Sequence, residues 1–373
     1  MTARVLIDGH MLDTGETGNE TYIRGLLGGL AELGLREVVA VTDPSVDVGA
    51  HERVLLPSRS DVARLTTGLV AAARERGASV IHTTYAAPFT TVAASVLTVH
   101  DLSFLRHPEW FTVRDLVVLN AGVRASAPRA ARVLVPSGHA RDELSALLDV
   151  AAERIVVTPE GVDPRYAVEA GHPTPAADVG RLLRRYGLRR PYVLAIGNLQ
   201  PRKNVRRLLE AWALLAAEGA DAGQRLVIAG GFHGRKDDAP AYAISAGIGD
   251  RVVFPGYVRD ADLPVLYANA DLFVYPSLYE GFGLPVLEAM AAGAPVACSG
   301  TTCLPEVTAG AAALFDPEDP RDIAAVLGAL IADPGLRAGL RARGRQRVAS
   351  ATWRACAEQT AAAYEAAASE PRP

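Results

Sequence analysis

Two glutamates, Glu280 and Glu288, stand with seven residues between them in the stretch LFVYPSLYEGFGLPVLEAMAAGAPVACS, Leu272 to Ser299. Paired carboxylates can hold the hydroxyls of a sugar, or serve as the acid and base of a hydrolase when they flank the scissile bond. Their surroundings narrow the choice. The apolar run Leu272 to Tyr275 predicts a buried strand, Gly281-Phe282-Gly283 a loop, Pro285 the opening of a helix that carries Glu288, and Pro295 the start of a second strand. That order brings backbone N–H groups and the positive end of a helix dipole to the carboxyl edge of a parallel sheet, where phosphate-bearing ligands bind. A nucleotide site is the first reading. The plainer one makes both glutamates partners of a helix N-terminus, worth at most about 1 kcal/mol each.

Other residues carry chemistry of their own. Arg202 and Lys203, in GNLQPRKN after the run YVLAIG, are adjacent cations at a helix entrance. They suit a diphosphate clamp, because arginine offers a planar donor fork and lysine a point charge, or else they form a solvated basic cap. His100 ends the run SVLTVH at a sheet edge, where a histidine can simply cap the sheet; His82 and Tyr85 occupy the same edge and could border an acceptor. The loop Asp13 to Thr21, with Gly15 and Gly18, lets backbone approach a phosphate before a helix begins at Tyr22. Asp260 and Asp262 have the spacing of a metal-binding pair. They directly precede LPVLYANAD, however, so they read as helix-start residues, as does Asp319 before PRDIAAVL. Nothing here requires a metal.

The segment SLYEGFGLPVLEAMAAG closely resembles the signature of the family-4 retaining glycosyltransferases, which have the two-domain GT-B fold; GNLQPRKN and VHDLSFLRHPEWF resemble two further segments of that family. The resemblance implies that Glu280 lies against a donor sugar, that Glu288 accepts hydrogen bonds from ribose hydroxyls, and that the amides of Gly281, Phe282, Gly283 and Leu284 meet the sugar and diphosphate. It also implies that Arg202 and Lys203 neutralise the leaving diphosphate, that His100 positions the sugar, and that Gly18 belongs to a glycine-rich loop near the ligand. Ser137 and Glu160 fall in recognisable segments too, although Glu160 stands where asparagine is usual, and Asn198 follows Gly197 where many members carry arginine.

At 373 residues the chain is too long for one ordinary core and suggests two domains of roughly 150 to 200 residues. Seven short apolar runs, from RVLIDG to RIVVTPEG, alternate with helical patterns, and six more run from YVLAIG to AALFD. Such runs mean two parallel sheets, each covered on both faces. The expected architecture is α/β: a Rossmann-like, acceptor-side domain over 1–165, a linker and lead-in helix over 166–190, and a Rossmann-like nucleotide-sugar domain over 191–350. The resemblance implies that the C-terminal helix, 351–373, crosses back to the first domain, and Trp353 reads as its docking anchor. A central cleft between the two carboxyl edges would hold the ligands.

The net charge of −4 gives no global pull toward nucleic acid. Three cysteines without CxxC spacing suggest neither a zinc site nor a disulfide framework, and a reducing, cytoplasmic setting fits. No run of about 20 apolar residues occurs. Arg181, Arg184, Arg185, Arg189 and Arg190 cluster before the second domain, and Arg114, Arg124, Arg129 and Arg132 follow His100. These read as solvated faces, and a lipid-linked acceptor would give the second group a weak peripheral membrane contact.

The resemblance implies transfer of a hexose, with retention, from a nucleotide sugar to an acceptor hydroxyl, and no metal or other cofactor is expected. The subtype resembles mannosyltransferases that use GDP-mannose. A nucleotide-sugar epimerase and a non-catalytic nucleotide-sugar binding module are the alternatives. A dinucleotide oxidoreductase is disfavoured, because no GxGxxG follows a first strand with an acidic residue about 20 positions on. Base, acceptor and oligomeric state are not readable from these residues.

Overall fold

The computed structural model describes residues 3–12, 17–90, 92–167, 176–231 and 238–370. The chain forms two compact units, Met1–Gly161 with Thr352–Pro373, and Val162–Ala351.

The first unit holds a seven-stranded sheet built from β1 (Val5–Asp8), β2 (Val38–Val41), β3 (Glu52–Leu55), β4 (Val80–Thr84), β5 (Ala94–Thr98), β6 (Arg132–Val135) and β7 (Ile155–Val157). Its order is β3-β2-β1-β4-β5-β6-β7, with every pairing parallel. All residues of β1, β2 and β4 are buried, as in a parallel sheet covered on both faces; β2 accordingly reads as a continuous apolar run, while β1 and β4 carry polar residues at their carboxyl ends. The chain winds outward from β1 in one direction and resumes at β4 in the other. Loops diverge at that switch point and leave room for a ligand.

The helix Trp353–Ser369 belongs to this unit and packs along the helix Thr17–Glu32. Gly25 and Gly29, one turn apart, make the approach close: a Cβ on Gly25 would fall 2.1 Å from the Trp353 ring, and one on Gly29 2.2 Å from the Trp353 carbonyl oxygen. The Thr17–Glu32 helix starts five residues before the expected Tyr22. Glu20, in its first turn, suits the positive helix end and accepts from Arg24 Nε at 2.8 Å. Gly18 therefore sits in a first helical turn, exposed, and not in the loop expected for it; residues 13–16 of that loop lie outside the described residues.

The second unit repeats the winding with β8 (Tyr192–Ile196), β9 (Arg225–Ala229), β10 (Val252–Gly256), β11 (Leu272–Tyr275), β12 (Val296–Ser299) and β13 (Ala313–Phe315). The order is β10-β9-β8-β11-β12-β13, again parallel throughout. Side chains alternate between two cores. Tyr192, Leu194, Phe273 and Tyr275 pack on one face, and Val193, Ala195, Leu272 and Val274 on the other. Each such side chain contributes about 1.5–3 kcal/mol by leaving water, so the middle strands form the rigid part of the unit. β8 and β11 flank the switch point, and the two loops with the most chemistry leave from their ends.

Most of the expected linker, 168–175, lies outside the described residues, and the helix Ala176–Arg185 follows it. Asp319 caps the helix Pro320–Ala332, its carboxylate accepting from the Arg321 amide at 2.8 Å. Asp262 departs from its expected role. It stands at the start of the helix Leu263–Asn269 but caps none of its amides. Its carboxylate instead accepts from Arg259 Nε at 2.8 Å, Tyr186 Oη at 2.7 Å and Arg185 Nη1 at 3.2 Å. The hydrogen bonds from Arg259 lead in holding it at about 2. Three donors outcompete a single helix amide.

Candidate active site

Glu280 leaves the end of β11 and is 6% exposed. Arg202 and Lys203, in the loop after the neighbouring β8, converge on it. Arg202 Nη1 donates to Oε2 at 2.9 Å, and Lys203 Nζ donates to Oε1. The Tyr275 hydroxyl, at the last residue of β11, donates to Oε1 at 2.9 Å and accepts from Lys203 Nζ at 2.6 Å. Burial pushes the Glu280 carboxyl up, but the Arg202 and Lys203 charges outweigh it and hold the group at about 2. Glu280 is thus an ionised carboxylate at neutral pH and a poor proton acceptor. It can orient a hydroxyl-bearing ligand, and it keeps two cations in place.

The two loops are fastened together from below. Asn204 takes a left-handed conformation with φ 57°. Its buried amide donates to Pro276 O at 3.0 Å and to Pro317 O at 2.7 Å. The Arg202 carbonyl accepts from the Leu278 amide at 2.8 Å. On the other side, Thr302 Oγ1 accepts from the Glu280 amide at 3.3 Å, and the Cys303 thiol donates to the carbonyls of Glu280 at 3.2 Å and Phe282 at 3.1 Å. Gly283 turns the chain into the helix Leu284–Ala291 at φ 98°, where a side chain is strained, and an added Cβ would lie 2.6 Å from Leu304 Cδ2. Gly281, Phe282 and Gly283 are buried against this support and Leu284 half-buried.

Glu288, on that helix, shares no hydrogen-bond partner with Glu280 among the described residues. Its Oε2 accepts from the Tyr267 hydroxyl at 3.0 Å, with Tyr166 beside it; the Tyr166 and Tyr267 rings meet edge-on with centroids 5.9 Å apart. Burial pushes the Glu288 carboxyl up to about 7, against the lowering pull of Tyr267 and Arg165. One glutamate of the pair is fixed as an anion. The other sits near half-protonation at neutral pH.

In the first unit His100 follows the end of β5, with Nδ1 3.1 Å from Glu160 Oε1 and its ring edge-on to Tyr22 at 4.6 Å. Its Nε2 is buried and has no hydrogen-bond partner among the described residues. Glu160 thus sets the orientation of the imidazole. His82 does not border a ligand space. It is buried, with Nδ1 2.6 Å from Tyr364 Oη and Nε2 2.7 Å from Thr98 Oγ1, and burial lowers it to about 3. Tyr85, at φ 61°, is half-buried near His100 and Phe104. Ser137 caps the helix Gly138–Leu148 by accepting from the Ala140 amide at 3.2 Å.

Residues 185–347 match the family model described as Glycosyl transferases group 1, and residues 17–166 match Glycosyltransferase Family 4. The O-antigen chain mannosyltransferase B of Escherichia coli is 37% identical over 273 residues, 73% of this chain and 70% of that protein. The chain belongs to the family-4 glycosyltransferases. The serotype-specific mannosyltransferase WbdA of Escherichia coli is 32% identical over 236 residues, covering 61% of this chain and 28% of that longer protein. Sucrose-phosphate synthase from Thermosynechococcus elongatus superposes with a TM-score of 0.77 over 97% of this chain and 98% of that one, at 22% identity. The two parallel sheets are those of a GT-B fold, and this glycosyltransferase is a hexosyltransferase that uses a nucleotide sugar.

Several polar residues of the two units gave no signal of their own in the sequence. Tyr275 acts on the Glu280 loop from the strand that leads into it, and Asn204, Thr302 and Cys303 from segments farther off in the chain. Arg165 and Tyr166, which sit in what reads as a boundary, stand at Glu288. In the first unit Asp8, at the end of β1, is fully buried with Arg64 Nη1 on its carboxylate and His10 Nδ1 3.1 Å away. Asp8 and Arg64 are 56 residues apart, so no spacing rule finds them.

Proposed function

We propose that the protein transfers mannose from GDP-mannose to an acceptor hydroxyl with retention of anomeric configuration. The observation that carries this reading is the convergence of Arg202 and Lys203 on Glu280 at the switch point between β8 and β11. Two fixed cations share one carboxylate, so the cluster is positive and can take up the charge that develops as a diphosphate leaves. The amides of Gly281 to Leu284 and the helix beginning at Leu284 add donors that need no reorganisation. Glu280 then holds the sugar, and leaving-group oxygen takes the acceptor proton. In this reading the diphosphate charge is met by groups of the chain, with no metal. The mannosyl activity of the two Escherichia coli relatives supports the choice of sugar. A cytoplasmic location completes the proposal, supported by Cys298, Cys303 and Cys356 being free and buried.

Thermal unfolding with GDP, UDP, dTDP and ADP tests the donor. At about 100 times Kd a ligand stabilises by roughly 2.7 kcal/mol, a rise of a few degrees for a chain of this size. GDP should give that rise, and Arg202→Ala should abolish it. A rise with UDP alone would reassign the base, and turnover of donor without any acceptor would favour an epimerase.

A further inference from the structure

Glu288 stands one turn into the helix Leu284–Ala291, and a turn advances about 5.4 Å along the axis. A diphosphate held at the start of that helix would carry its ribose over a comparable span. Glu288 is therefore placed to meet the ribose hydroxyls, and its half-buried carboxylate can accept from them. Three segments of the second unit surround it. The helix Leu263–Asn269 supplies Tyr267, fully buried, whose hydroxyl donates to Oε2 at 3.0 Å. The short turn Pro164–Tyr166 supplies buried Tyr166, whose hydroxyl accepts from Arg165 Nη2 at 3.2 Å. The turn Asp260–Asp262 brings the Asp260 carboxylate, whose charge opposes ionisation of Glu288 as that of Arg165 favours it.

A hydroxyl that accepts from a guanidinium keeps its own hydrogen for another acceptor, and for Tyr166 that acceptor is Glu288. The two tyrosine rings meet edge-on inside one apolar core, so neither hydroxyl can swing away without disturbing the packing. Phenylalanine at either position would fill nearly the same space. The two buried hydroxyls thus serve a single carboxylate. We propose that Tyr166 and Tyr267 are positioning residues for donor binding, fixing the plane of the Glu288 carboxylate as it is presented to the ribose diol of the nucleotide. The proposal rests on the nucleotide-sugar reading of this site and is independent of the base and of the sugar transferred.

Calorimetric titration of the full chain with GDP and with 2′,3′-dideoxy-GDP tests it, with the corresponding uridine pair run alongside. The ratio of the two affinities isolates the diol, because the diphosphate and its own titration are common to both ligands. Burial places the Glu288 carboxyl at about 7 against the pull of Tyr267, so the carboxylate is present above that pH and lost below it. The parent should favour the ribose form about tenfold at pH 8 and less at pH 6, and Glu288→Gln should lose most of that preference. Tyr267→Phe removes a donor that stabilises the carboxylate. The rise in preference should then move to higher pH, and at pH 7 the preference should fall about threefold while affinity for the dideoxy form stays unchanged. Tyr166→Phe should act in the same direction. A parent that binds neither diphosphate, or binds both forms alike, overturns the nucleotide role of Glu288 and the proposal with it. A parent that discriminates, with Glu288→Gln failing to and both phenylalanine variants keeping the parent's preference and pH profile, leaves that role standing and overturns the role of the tyrosines alone. So does a loss of affinity equal for both forms, which would make the tyrosines supports of the fold only.

Discussion

Glu280 and Glu288 differ in what they meet on burial, and so they respond to acid in opposite senses. Glu288 is held at about 7 against an ordinary 4.5. Its folded state binds the proton more tightly than the unfolded chain does. Stability is therefore full below about pH 4.5 and falls as pH rises toward 7. The loss is on the order of 2 kcal/mol once the residue's partial solvent contact is discounted. Glu288→Gln should remove that slope: urea midpoints would match the parent at pH 5 and exceed it at pH 8, and parallel profiles would exclude this account. Glu280 is held at about 2 by its two cations. Replacing one of them, in Lys203→Met, leaves burial less opposed and should raise its titration toward neutrality, read by carbon-13 NMR of the labelled carboxyl. An unmoved titration would mean that Arg202 alone sets the charge. The residue types and the spacing of this pair were legible in the sequence, because a glycine loop and a helix start bracket them. The opposite directions of their shifts were not, because Tyr267 reaches Glu288 from 21 residues away and Lys203 reaches Glu280 from 77.

At the scale of elements, what was legible followed from local chemistry. Among the described residues the strands coincide with short runs rich in β-branched and aliphatic residues, and a helix separates most consecutive strands, as parallel pairing favours, although β2–β3 and β4–β5 are joined without one. The start of the Thr17–Glu32 helix was misread because glycines at 15 and 18 suggest a turn, whereas Glu20 and Arg24 support a helix that reaches back past Gly18. Asp262 stands at a helix start as read but does not cap it, because Arg259, three residues away, and Arg185 and Tyr186, over 70 residues away, all donate to its carboxylate. The glycine loop shows how such distant support becomes function. Its shape is held by Thr302, Cys303 and Leu304, a segment that sequence motifs pass over. Gly283→Ala forces a side chain into a left-handed conformation, costing about 1–2 kcal/mol, and drives a methyl into Leu304. The loop must shift, so affinity for the nucleoside diphosphate that stabilises the parent should fall by about tenfold, an energy of the same order. Calorimetric titration checks this, and a variant with full affinity would show that the loop amides do not meet the nucleotide.

For the whole molecule, the path of the chain says which parts can stand alone. The second unit is continuous, Val162–Ala351, and its two ends meet, the Val162 amide donating to the Ala351 carbonyl at 2.9 Å. Both of its cores are complete within it, and so are Glu280, Arg202, Lys203 and Glu288. The first unit is discontinuous and needs Thr352–Pro373. Without that segment, Gly25 and Gly29 lose the helix they were shaped to receive, and His82 loses the Tyr364 hydroxyl that satisfies one ring nitrogen. An uncovered helix face and an orphaned buried imidazole each cost kilocalories in a domain whose net stability is only about 5–15 kcal/mol. Residues 162–351 expressed alone should therefore unfold cooperatively and keep the nucleoside diphosphate stabilisation of the full chain. Residues 1–161 alone should lack a cooperative transition, and joining 352–373 to them through a flexible linker should restore it. Circular dichroism melts of the three fragments decide the matter. A cooperative melt for residues 1–161 alone would mean that the returning helix is an accessory to the first unit, and that the Gly25–Trp353 contact contributes nothing its fold depends on.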